Sequence, residues 1–181
     1  MRIRSAVASL VALAVSTVAV AEGAATAPDI AVCFTPGEDC TGKIVAEIDA
    51  AKSSLLIQAF SFTSTPLMKA IDSAHKRGVA VRIIMDRTNE TQDHVAATFF
   101  AQRGMVPLID DKVEIAHNKV MVIDGRVVIT GSFNFTTAAQ KANAENVLIV
   151  KNDPALAKAY EANWQKRAAA SRLYGGRWRG F

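Results

Sequence analysis

The stretch His117-Asn118-Lys119-Val120-Met121-Val122-Ile123-Asp124-Gly125-Arg126-Val127-Val128-Ile129-Thr130-Gly131-Ser132-Phe133-Asn134-Phe135 holds two β-branched runs, 120–124 and 126–130, joined around Asp124-Gly125. Such runs suit strands, and Asp-Gly between them signals a hairpin, because a tight turn needs positive φ. The polar residues gather at the two outer ends. His117 and Lys119 are two apart, so at the start of a strand their side chains point to one side; Ser132 and Asn134 repeat the spacing where the returning strand ends. A hairpin that turns at Asp124-Gly125 lays its outer ends side by side, so His, Lys, Ser and Asn converge on one spot.

Outward from the hairpin, the first hundred residues read β-α-β-α-β-α. Residues 30–35 form a short strand, and 41–52 carry Ile44, Val45 and Ile48 at helical spacing. The run 55–62 is apolar without a helical period. Thr65-Pro66 opens a helix, Thr as N-cap and Pro at the first helical position, that closes on His75-Lys76-Arg77-Gly78. Residues 79–85 alternate as a strand, and 91–103 read as a helix ended by Gly104. After the hairpin come a strand at 145–151 and an Ala-rich helix capped by Asp153-Pro154 and running to about 173. The expected architecture is α/β: a mixed, largely parallel sheet covered by helices on both faces.

Of the 181 residues, 50% are hydrophobic and 21% charged, which excludes a disordered chain; Gly 10 and Pro 5 exclude a collagen-like one. Arg2 and Arg4 precede a run, Ser5 to Ala21, without a charge, closing on Ala19-Val20-Ala21. That is the form of a secretory signal peptide over 1–21. The alternative, a retained anchor, fits less well, because the run is Ala-rich and short of the ~20 strongly apolar residues of a spanning helix. Residues 22–181 then form a single domain with a basic C-terminal helix and tail. The net charge falls from +4 to +2, with −3 over 22–150 and +5 over 151–181.

Export implies an oxidising, periplasmic or extracellular setting. Cys33 and Cys40 flank a Pro36-Gly37 turn that can bring their sulfurs together, so a local disulfide is the favoured reading. Zinc would need a second Cys pair or a nearby His; two buried free thiols stand as the other alternative.

The polar inventory suits a phosphodiester. Lys119 offers fixed positive charge, and Ser132 and Asn134 offer neutral donors for charge developing on a five-coordinate phosphorus. His117 can attack phosphorus or shuttle a proton. Glu145, on the next strand, is the candidate to orient the imidazole. Phe133 and Phe135 alternate with these groups and pack beneath them. Phe99-Phe100 reads as core, and His75 and His94 as structural.

The pattern H-x-K-x4-D-x6-G-S-x-N, filled by His117, Lys119, Asp124, Gly131, Ser132 and Asn134, resembles the phospholipase D superfamily. With the signal segment, one motif copy, Ala59-Phe60-Ser61-Phe62-Thr63 and Asn143-Ala144-Glu145-Asn146, the chain is similar to its small secreted bacterial endonuclease branch. The resemblance implies a phospholipase D-like fold and a catalytic set of His117, Lys119, Asp124, Ser132, Asn134 and Glu145. Within that set Lys119, Ser132 and Asn134 bind the phosphate. It implies a hydrolase of DNA, with RNA as a further substrate, that needs no metal and no cofactor. One His becomes phosphorylated and a second protonates the leaving oxygen, so a chain with one motif implies a homodimer sharing its active site. Asp124 belongs to the motif but falls at the turn, which points to a structural role or the dimer interface.

Two rival functions remain. A phospholipid phosphodiesterase would show an exposed apolar rim or an anchor, and no such segment stands out once the signal is removed, so no stable membrane association is expected. The other rival is a non-catalytic nucleic-acid-binding member. Arg167, Arg172, Arg177 and Arg179, with Trp164, Tyr174 and Trp178 among them, read equally as a solvated helix end or as contacts to a phosphate backbone.

Overall fold

In the computed structural model, residues 27–90 and 95–175 are described. The signal segment 1–21, His94 and the tail from 176 onward lie outside the described residues. The strands are β1 (Asp29–Thr35), β2 (Ser54–Ala59), β3 (Ala80–Asp86), β4 (Leu108–Asp110), β5 (Lys119–Ile123), β6 (Val127–Gly131), β7 (Glu145–Lys151) and β8 (Arg172–Leu173). The helices are α1 (Cys40–Ala50), α2 (Thr65–Lys76), α3 (Val95–Ala101), α4 (Thr137–Lys141) and α5 (Pro154–Ala170), with a 3₁₀ turn at Arg87–Glu90.

The strands form one sheet in the order β1-β7-β6-β5-β2-β3-β4-β8. It is mixed and covered on both faces, as the sequence implies, but its balance is antiparallel. Among the described strands, only β2–β3 and β3–β4 pair in parallel; the other five strand pairings are antiparallel. Helical crossovers connect β2, β3 and β4, and those produce the parallel part. From β5 to β7 the connections are a turn and the short α4, which favour antiparallel neighbours. β1, instead of joining β2 through α1, crosses to the far edge and pairs with β7 from Asp29↔Lys151 to Thr35↔Glu145.

Several elements differ at their ends: the strand in the apolar run 55–62 stops at Ala59, and the helix read over 91–103 stops at Ala101. α2 is capped by Ser64 rather than Thr65, without a side-chain bond. α5 stops at Ala170, where Ser171 turns extended and the chain adds β8 to the sheet edge.

The larger core lies between one sheet face and α1 to α4. Ile44, Ile48, Leu67, Ile71 and Phe100 pack on Leu55, Ile57, Met85, Met121 and Ile129. On the other face α5 lays Ala157 and Trp164 over Leu56, Ile84, Val120, Val122 and Val128. The Trp164 indole N–H, fully enclosed, donates to the Ile57 carbonyl at 3.0 Å. β2 is thus buried on both faces, which explains its unbroken apolar run. Cys33 and Cys40 are bridged and fully buried, joining the end of β1 to the start of α1.

The β5–β6 turn is fixed by its own carboxylate. Asp124 and Gly125 both have positive φ, 53° and 61°. One Asp124 oxygen accepts from the Lys52 N–H at 2.8 Å, the other from the Ser53 N–H, Ser53 hydroxyl and Ser54 N–H at 2.7 to 2.9 Å. Desolvation works to raise the Asp124 pKa, but these donors outweigh it and hold the carboxyl below its ordinary value. A carboxyl depressed in the folded state adds stability above the unfolded value and loses it as pH falls through the folded one. Asp124→Ala should therefore cost about 2 kcal/mol near neutral pH, with the gap to the parent narrowing below the carboxylate range. Urea melts of both proteins at pH 7 and pH 3 check this.

Candidate active site

The open end of the β5–β6 hairpin collects groups from four adjacent strands. Val120 pairs with Thr130, so Lys119 and Gly131 sit side by side. Gly131 pairs with Val147, which brings the start of β7 alongside. Ala59 pairs with Lys119, and the next residue extends the ladder, the Phe60 N–H donating to the Asn118 carbonyl at 2.9 Å. The approach to His117 is anchored by buried Asp86, which accepts from the Ala116 N–H at 2.8 Å and from the Thr88 N–H and hydroxyl.

Gly131 is where β6 leaves the regular ladder. Its φ is +149°, and a Cβ there would lie 2.2 Å from the Asn146 carbonyl oxygen. Without a side chain, the Ser132 and Phe133 N–H groups both reach that oxygen, at 3.1 and 3.3 Å. The Asn146 N–H donates to the Ser132 hydroxyl oxygen at 3.0 Å, and the hydroxyl donates to Glu145 at 2.6 Å. The other Glu145 oxygen accepts from the Asn143 amide at 2.9 Å. The expected bond from Glu145 to His117 is not made within the described chain. The Asn146 N–H fills one face of the Ser132 oxygen and turns its proton onto the carboxylate.

Lys119 is only 6% exposed. Its ammonium donates to the His117 carbonyl at 2.7 Å and lies 4.9 Å from the centre of the Phe60 ring. Burial pushes its pKa below the ordinary lysine value, and the charge of Glu145 opposes that shift. The exposed imidazole of His117 lies 4.6 Å from the Phe60 ring, tilted by 57°. Asn134 stands between buried Phe133 and Phe135, its amide oxygen buried with no hydrogen-bond partner among the described residues. The Thr63 and Ser64 N–H groups both donate to the Phe135 carbonyl at 2.9 Å, tying this segment to the chain after β2. The Phe133 and Phe135 rings lie in the core, as the alternation implies.

One ammonium, one hydroxyl, one amide and one imidazole therefore share one end of the sheet. Such a set can hold a phosphodiester and present a nitrogen to its phosphorus.

Asp124 is not part of this group. It occupies the tip of the same hairpin, at the opposite end of β5, where it binds backbone amides. The C-terminal arginines are also otherwise engaged where described. Arg167 grips Asp110, and Arg172 bonds Asp111 and Glu90. Trp164 is buried, and the Tyr174 hydroxyl meets that of Thr98. Arg177, Trp178 and Arg179 lie outside the described residues. Sequence reasoning passed over three contributors, Phe60, Asn143 and Asn146, although each stands in a stretch quoted above.

Residues 44–168 match the family model described as cardiolipin synthase, PLD-like domain. A relative named phospholipase D, from Rickettsia conorii, is 45% identical over 143 residues, 78% of this chain and 70% of the relative. The human mitochondrial cardiolipin hydrolase is 34% identical over 127 residues, 70% of this chain and 50% of that protein. Among solved structures, Nuc from Salmonella typhimurium, described as a phospholipase D family member, superposes with a TM-score of 0.78 at 37% identity, covering 82% of this chain and 99% of that one. NucT from Helicobacter pylori shares the fold, with a TM-score of 0.76 at 22% identity over 82% of this chain and 100% of that one.

The close approach at Gly131 makes a direct prediction. Gly131→Ala should destabilise the protein by about 3 kcal/mol, from backbone strain and the clash with Asn146 together. Thermal melts check this, and an unchanged melting temperature would contradict the geometry.

Proposed function

The chain belongs to the phospholipase D superfamily and is a phosphodiesterase of that superfamily; from that premise we propose that it is a metal-independent nuclease. Its substrate is DNA, with RNA as a further one. The observation that carries the reading is the convergence of His117, Lys119, Ser132 and Asn134 at the open hairpin end. His117 and Ser132 are exposed there, so a polymer backbone can reach them without a deep channel. Lys119 and Asn134 bind the nonbridging oxygens. Ser132 joins them by turning its hydroxyl from Glu145 to the phosphate. These groups read phosphate and not base edges, so little sequence preference is expected.

In the proposed reaction a His117 ring nitrogen forms a bond to phosphorus as the bond to the leaving oxygen breaks. The protonated imidazole of the partner's His117 gives its proton to that oxygen. Water then attacks the phosphohistidine, losing a proton to the partner's His117, and the P–N bond breaks to release a phosphomonoester. One chain supplies one such histidine, so the active unit is a homodimer with a shared site. An exposed apolar stripe on edge strand β1, Ile30, Val32 and Phe34, supports self-association, since Phe34 pairs with Asn146 beside Ser132. We place the mature domain, 22–181, in the periplasm or outside the cell. The buried Cys33–Cys40 bridge supports that location, because disulfides persist in oxidising compartments.

A second reading, phospholipid cleavage by the same site, is favoured by one observation. Val113 and Ile115, on the loop leading into His117, are 36% and 55% exposed. They form a small apolar rim that single residues among polar neighbours do not advertise in sequence. No helix among the described residues is long and apolar enough to cross a membrane.

Purified mature protein should cut plasmid DNA in excess chelator, and His117→Ala should lower the rate by roughly a thousandfold. Cleavage only on metal addition, or equal activity of the variant, would sink the mechanism. Phospholipid hydrolysis with intact DNA would promote the second reading. Size measurement should give a dimer. Lys119→Met should lower cleavage by about a hundredfold or more yet raise the melting temperature at pH 7. The buried ammonium weakens the fold in full below its lowered pKa, so the gain should shrink as pH rises above that value and vanish past the ordinary lysine value.

A further inference from the structure

For His117 to attack phosphorus in line, its imidazole plane must be fixed, yet among the described residues no hydrogen bond reaches either ring nitrogen. Glu145, the carboxylate expected to orient it, is bonded to Ser132 and Asn143. What the imidazole meets is the Phe60 ring, 4.6 Å away. The same ring lies under the Lys119 ammonium at 4.9 Å. Taking the site as the phosphodiesterase centre described above, we propose that Phe60 is a positioning residue that sets the imidazole plane of His117 and the seat of Lys119.

The ring is suited to this role because its own backbone cannot shift. The Phe60 N–H is bonded to the Asn118 carbonyl, and the Phe60 carbonyl accepts from the Asn89 amide at 2.7 Å. Asn89 is fully buried, and the same amide also donates to the Asp86 carbonyl at 3.1 Å. The Asp86 carboxylate in turn holds the Ala116 N–H, one residue before His117. The Asp86–Asn89 turn therefore fixes the floor and the residue that stands on it, so ring and imidazole move as one frame.

The chemistry of the contact agrees. An aromatic face carries negative charge, so it attracts the Lys119 ammonium and any protonated imidazole beside it. It offers no hydrogen bond that would compete with phosphate for either group. A leucine of similar bulk would fill the space but remove the face and its tilt; a tyrosine would keep both. The ring already holds both catalytic groups, which distinguishes a positioning role from that of a platform for substrate.

The test compares Phe60→Leu and Phe60→Tyr with the parent on bis(4-nitrophenyl) phosphate, a small diester common to both functional readings. Phe60→Leu should lose about ten- to a hundredfold in kcat with KM almost unchanged, because the imidazole samples unproductive planes. Phe60→Tyr should retain kcat within about threefold. A Leu variant with parental kcat, a rise in KM alone, or a Tyr variant as impaired as Leu would each overturn the proposal. NMR supplies a readout that does not depend on activity, since the chain has only three histidines. The His117 ring signals should be displaced by the aromatic ring in the parent and Tyr proteins and return toward ordinary positions in Leu. Absence of that displacement in the parent also overturns the proposal. If the parent cleaves no diester, the phosphodiesterase reading fails, while the NMR comparison still decides where the imidazole sits.

Discussion

A one-residue slip of β5 against β6 would turn Lys119, Met121 and Ile123 to the wrong face and scatter the polar groups at the hairpin's open end. The turn at Asp124-Gly125 sets that register, and contacts to the two outer strands hold the hairpin at both ends. At the tip, Asp124 binds three successive amides of the chain entering β2 and ties the turn to the neighbouring strand. At the open end, bare Gly131 lets β6 close onto the Asn146 carbonyl, which takes two amides. The motif's Asp and Gly are thus the mechanical pair of the hairpin, and its His, Lys, Ser and Asn are the chemical set that this pair aligns.

The remaining layers hold the hairpin in place. β5 lies between β2 and β6, with α5 on one face and the larger core on the other. This central position leaves Lys119 almost wholly enclosed although it is charged. The protein keeps a buried ammonium whose pKa burial lowers, at a cost in stability that a simple apolar side chain would avoid. A cation held ready in a low-dielectric seat interacts more strongly with phosphate than one free in water. The disulfide adds a local clamp between β1 and α1, and β1 borders β7 at Glu145.

What could be read from the sequence was local. The Asp-Gly turn, the two-residue spacing of the polar groups, the Cys33–Cys40 loop and the strand at 145–151 are each set by neighbours along the chain. The sheet order was not legible, because β1 finds its partner more than a hundred residues away, and nothing in its apolar alternation specifies β7 over β2. β4 and β8 are too short to carry a period. The partners of Glu145 depend on where the Asn146 amide falls once Gly131 lets two strands close together. That geometry belongs to the folded site, whereas the spacing of Glu145 and His117 belongs to the chain.

The central claim is that the His117 imidazole becomes covalently bound to phosphorus. The most direct measurement is mass spectrometry of protein mixed with a short DNA substrate and quenched in base within the first turnovers. The account predicts a phosphoramidate-linked adduct on the peptide containing His117, absent from the His117→Ala protein. An adduct on Ser132, or cleavage at full rate with no adduct at any time, would contradict it.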